Sequence, residues 1–139
     1  SKSMRLAKNI LFGALMVMSA PLTSCQESLE ERAEREAREY TEKHCPTPPQ
    51  NDVITDSIVF DRNTRTWTQY LTFTGIIDDE KGIREHNEEI HKSLLESIRQ
   101  NTEMKRYKEA GFSFAYICRS KKDPKTILLT LKYTPKDYR

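Results

Sequence analysis

His44 and Cys45, adjacent in the chain, and His86 and His91 further on have side chains suited to nucleophilic or metal chemistry. A catalytic thiol needs a positioned base and a third group that orients the base. His44-Cys45 offers a base beside a thiol, but no third member or local nucleophile signature accompanies it. His86 and His91 are five residues apart, which on a helix places them about 140° from each other, too far round to grip one metal ion. They read as solvated helix surface. Asp78-Asp79-Glu80 has carboxylates but lacks the spacing of a calcium loop, and acids at a helix start are favourable without any ion. No catalytic residue, metal site or cofactor is therefore assigned.

The most unusual surface pattern is TRTWTQYLTFT, where threonines alternate with large residues. In a strand, alternate residues share a face, so Thr66, Thr68, Tyr70 and Thr72 form one row of hydroxyls around an aromatic ring. Trp67, Leu71 and Phe73 form the opposite, core-facing row. If helices cover only the Trp67 side, the Thr/Tyr row faces solvent and is the candidate binding surface for glycan or protein. Ordinary β-propensity on a wet face is the plainer explanation of the same residues.

The elements that must position this row follow from periodicity. Ser28 to Lys43 is built of strong helix formers, with Ser28 and Glu31 as a capping box and Leu29, Ala33, Ala37 and Tyr40 as a narrow apolar stripe. Its charges are expected to pair as Glu31 with Arg35, Glu34 with Arg38 and Glu39 with Lys43. Three prolines between Pro46 and Pro49 stop the helix. Asp52 to Phe60 and Thr66 to Thr74 read as a hairpin, with Ile54, Ile58 and Phe60 sharing a face of the first strand. A second helix of about 16 residues carries Ile83, Ile90, Leu94 and Ile98, and a short helical turn ends at Gly111. Phe112 to Cys118 and Thr126 to Tyr133 form a second hairpin. The expected fold is α+β, of order α-β-β-α-β-β: a four-stranded antiparallel sheet with helices on one face.

The N-terminus reads MRLAKN, then ILFGALMVMSAP, then LTSC: a basic stretch, an apolar run of about a dozen residues, and small residues before a cysteine. The apolar run falls short of the roughly 20 residues that span a bilayer. Leu22-Thr23-Ser24-Cys25 resembles the lipobox of bacterial lipoproteins and matches it at all four positions. The resemblance implies that residues 1–24 are a signal peptide and that Cys25 receives a diacylglyceryl thioether, becomes the N-terminus and is N-acylated. One acyl chain binds a bilayer only marginally, so several are needed for stable attachment. Gln26, where lipoproteins retained at the inner membrane usually carry Asp, favours the outer membrane by the same resemblance. The mature chain is also similar in size and element order to small Bacteroidota envelope lipoproteins. Residues 25–51 are expected to hold the lipidated terminus, charged helix and proline-rich linker, and 52–139 the α+β body, in one domain with the helix.

With Cys25 lipidated, Cys45 and Cys118 remain as an even pair in a compartment that permits disulfides, and a bridge between them is expected. Closing so long a loop would contribute about 4 kcal/mol by the chain-entropy account. The formal charge of +2 misleads, because Lys2, Arg5 and Lys8 lie in the leader, and without them 20 basic residues face 21 acidic ones. Such a chain offers nucleic acid no general attraction. A mean hydropathy of −0.77 excludes a polytopic membrane protein. The expected partners are the lipid bilayer, through acylated Cys25, and an envelope protein or glycan. The expected function is a non-catalytic binding module. The alternatives are an accessory subunit docking through the first helix and a small envelope hydrolase or thiol enzyme.

Overall fold

A computed structural model describes residues 27–139; the leader and Cys25 lie outside the described residues. Helix α1 spans Leu29–His44 and is followed by strands β1 (Val53–Asp61) and β2 (Thr66–Phe73). After a 3-10 turn at Gly75–Ile77 come helices α2 (Glu80–Glu85), α3 (Asn87–Gln100) and α4 (Lys105–Glu109). Strands β3 (Ser113–Ser120) and β4 (Ile127–Tyr133) and a short helix α5 (Pro135–Tyr138) complete the order. The class is α+β, and one four-stranded sheet runs β1-β2-β3-β4.

The two hairpins are antiparallel, but β2 and β3 run parallel, so the sheet is mixed rather than antiparallel throughout. The helical crossover is the cause. Helix α3, at about 1.5 Å per residue, carries the chain about 21 Å back along the sheet, and β3 then starts level with the start of β2. The expected second helix is also divided at His86 into α2 and α3.

Local chemistry fixes the ends of these elements. The Ser28 hydroxyl accepts the Glu31 amide at 3.0 Å and caps α1. The expected charge pairs of α1 rearrange: Arg35 binds Glu27 and Glu39, Arg62 from the β1–β2 turn takes Glu34, and Arg32 binds Glu36. Gly111, at φ +82°, follows α4 in a conformation that disfavours any residue with a Cβ.

The core lies between the sheet and the helices. Ala33, Ala37 and Tyr40 of α1 and Ile90, Leu94 and Ile98 of α3 are buried against it. The small alanines let α1 lie close over β1. Phe60, Trp67, Tyr107 and Phe112 form a ring cluster with neighbouring centroids 4.7–5.6 Å apart. Glu36 is buried among these groups, bonded at 2.8 Å by Arg32 and at 2.7 Å by the Tyr107 hydroxyl, and it ties α1 to α4. Burying a carboxyl group is costly unless it has such hydrogen-bond partners. The outer edge of β1 is closed in a similar way. Thr41 bonds both the amide and the carbonyl of Ile58, and Thr47 does the same for Thr55, so polar groups that could recruit a foreign strand are occupied.

Candidate functional site

Alternation along β2 builds the site. Trp67, Gln69, Leu71 and Phe73 point into the core, while Thr68, Tyr70 and Thr72 are half-buried on the opposite face, which no helix among the described residues covers. Thr66 does not join this accessible row. It is buried at 7% exposure at the start of β2, between Asp61 and Ser113, with its hydroxyl bonded to the Thr64 carbonyl. Thr72 donates to the Asp56 carboxylate at 2.6 Å.

Register extends the face across the sheet. Tyr70 sits between Ser57 and Ile117, and Thr68 between Val59 and Ala115. Ile54 is level with Thr72, Arg119 and Ile127. A bulge at Asp56 changes the parity of β1, so Ile54 faces out rather than joining Ile58 and Phe60, and Val53 and Thr55 are the buried residues before it. Val59 and Ile127 are half exposed, at 50% and 51%. The face is thus apolar and hydroxylated in the middle, with acids, Asp56 and Asp61, on the β1 side and bases, Arg119 and Lys132, on the β3–β4 side. Sequence reasoning missed Val59, Ile117 and Ile127. The in-out alternation of Phe114, Tyr116 and Cys118 against Ala115, Ile117 and Arg119 carried the signal for Ile117.

A groove of about 470 Å³ adjoins the face at Val59, floored by Ala37, Ile58 and Phe60 and rimmed by Glu34, Arg38 and Glu42 of α1. Behind the open face, the core contains polar atoms without hydrogen-bond partners: both amide atoms of Gln69, the indole nitrogen of Trp67 and the Tyr116 hydroxyl. Gln69 and Tyr116 are register neighbours, so these groups sit together on the inner side.

The other candidates are placed separately. Cys45 follows α1 and is half-buried; Cys118 is fully buried on β3; both are free thiols, and the expected bridge is not formed between them. Burial raises the Cys45 thiol pKa, assisted by the Asp56 charge, which is the opposite of the shift a nucleophilic thiolate needs. Burial also pushes up the Cys118 thiol. The His44 ring packs on Tyr40, with centroids 5.0 Å apart. His86 lies near Glu89, and His91 lies edge-on to Tyr133. Asp79 caps α2 through the Gly82 amide, while Asp78 is buried and accepts the Lys122 amide at 3.0 Å. No group of three His, Cys, Asp or Glu side chains among the described residues is placed to hold a metal ion.

Comparison with known proteins adds fold and kinship. Residues 28–129 match a family described as "Domain of unknown function (DUF8479)". No curated protein matches the sequence. The crystal structure of a "putative secreted protein (PA3611)" from Pseudomonas aeruginosa is similar, with a TM-score of 0.65 at 16% identity, over 85% of this chain and 100% of that one.

Proposed function

We propose that this chain, which belongs to the DUF8479 family, is a lipid-anchored cell-envelope protein that acts by binding a macromolecular partner, without catalysis. The observation that carries the reading is the open sheet face, where Tyr70, Thr68, Val59 and Ile117 combine apolar area with hydroxyls that no described element covers. Export and anchoring rest on the basic-apolar leader and Leu22-Thr23-Ser24-Cys25. The secreted description attached to the Pseudomonas aeruginosa structure points in the same direction. The raised Cys45 thiol and the packing of the neighbouring His44 ring on Tyr40 favour binding over thiol chemistry.

Two measurements test the two halves of the proposal. Cys25→Ser is expected to abolish incorporation of radiolabelled palmitate, and unchanged labelling would refute the anchor. A photo-crosslinking amino acid at Tyr70 in the full-length protein is expected to give a discrete adduct in cells, whereas the same group at exposed Glu88 gives none. Equal or absent crosslinking at both positions would remove the open face as the binding surface.

A further inference from the structure

We propose that the open sheet face is self-complementary and that its occupant is a second copy of this chain, the two sheets related by a two-fold axis parallel to the strands. This rests on the reading of the open face as the binding surface and names what binds there.

The charge distribution selects the geometry. Acids lie on the β1 side of the face, at Asp56 and Asp61, and bases on the β3–β4 side, at Arg119 and Lys132. A two-fold axis running between β2 and β3 along the strands sets β1 over the partner's β4 and β2 over the partner's β3. Acids then meet bases on both sides of the interface, as a closed isologous contact requires. An axis across the strands would put β1 on β1 and oppose like charges, which is unfavourable.

The register makes the apolar groups coincide under the same operation. Tyr70 and Ile117 are level across the β2–β3 pair, so each lands on the other's counterpart. Ile54 and Ile127 share a row at opposite sides of the sheet, so Ile54 meets the partner's Ile127, which in the monomer is 51% exposed. Thr68 meets the small Ala115, which leaves room for close approach. A four-stranded face of this size measures roughly 19 by 23 Å. Two of them bury on the order of 1,000 Å² in total, the lower end of specific interfaces, which is the size of a reversible contact. Edge-to-edge pairing through β1 is a poorer alternative, since Thr41 and Thr47 already occupy polar groups of its backbone.

The test uses full-length protein extracted in detergent. Wild type is expected to sediment as a concentration-dependent dimer. Arg119→Glu with Lys132→Glu makes the face wholly acidic, and Asp56→Lys with Asp61→Lys makes it wholly basic; each variant alone is expected to be monomeric. An equimolar mixture of the two variants is expected to recover the dimer mass, which a misfolded variant could not do, and circular dichroism checks each fold separately. A wild type that stays monomeric at about 100 μM, where a complex of micromolar affinity is almost wholly assembled, overturns the proposal. So do charge variants that remain dimeric, or folded variants that fail to recover on mixing. A monomeric wild type that still gives a Tyr70 adduct to another protein in cells defeats the second copy as occupant but leaves the open face as a binding surface.

Discussion

The two faces of this sheet are made from the same strands by the same alternation, yet they treat polarity in opposite ways. The inner face is closed by α1 and α3 and contains polar atoms without partners: Gln69, Tyr116 and the Trp67 indole. The outer face has its hydroxyls and charges open to water or paired at the surface, as Thr72 is with Asp56. An unpaired buried polar group costs about 1–3 kcal/mol, whereas the same group outside costs almost nothing. The Trp67 side therefore has little tolerance for polar groups, and the Tyr70 side has much. Glu36 shows the condition under which the interior accepts a polar group, since both carboxylate oxygens have close partners.

That contrast is open to direct attack by substitution. Trp67→Ala should cost about 3–5 kcal/mol, because it removes a fully buried ring packed on Tyr107. Urea unfolding measures it, and a loss below about 1 kcal/mol would mean that the ring is not core. Gln69→Leu should do the reverse and raise stability by about 1 kcal/mol, because it exchanges an unpartnered amide for an apolar group of similar shape. If that variant is instead destabilised, the amide is hydrogen-bonded in solution and the inner face is less costly than its unpaired atoms imply.

Much of this arrangement was legible in the sequence. Period-2 alternation placed Trp67, Leu71 and Phe73 inside and Tyr70 outside, and the apolar stripes located α1 and the helical crossover correctly. What escaped were non-local facts. A single unpaired residue at Asp56 reverses which face Ile54 joins, and no composition rule announces a bulge. Glu36 is buried because of Tyr107, a partner 71 residues away that is invisible to a helical wheel. The even cysteine count likewise carries no distance. Cys118 pairs with Leu71 and Leu71 with Thr55, which sets it about two strand spacings of 4.8 Å from β1. Non-reducing peptide mapping of exported protein is expected to find both thiols free, and a Cys45–Cys118 peptide would contradict it. The parallel β2–β3 pairing follows from the length of the crossover, which the sequence displays but which hairpin patterns alone do not convert into strand direction.

A buried acid beside the inner layer gives a pH test. Burial alone would raise the pKa of Asp78, but hydrogen bonds from the Ser120 hydroxyl and the Lys122 amide outweigh it and hold the carboxyl below its ordinary range. Its folded pKa is thus lower than its unfolded one. The stability it contributes is present above about pH 4 and is lost as the pH falls through the folded value. Asp78→Asn should cost about 1 kcal/mol at neutral pH and flatten the acid side of the stability profile. An unchanged acid limb would show that the loop between β3 and β4 does not depend on this carboxylate.

The smallest expected effect on stability is the most informative about the outer face. Thr68 and Tyr70 are half-buried, and neither hydroxyl bonds to another described residue, so Thr68→Lys with Tyr70→Ala removes no internal hydrogen bond. Surface substitutions of this kind change stability by less than about 0.5 kcal/mol, within reach of replicate urea titrations. The same pair places a charge at Ala115 of a facing copy and deletes the ring that meets Ile117, so self-association should fall at least tenfold while the unfolding midpoint stays put. Loss of both together would mean that Tyr70 supports the fold, and the contrast between the faces would collapse. Retention of both would leave the outer face intact as structure but without a role in binding.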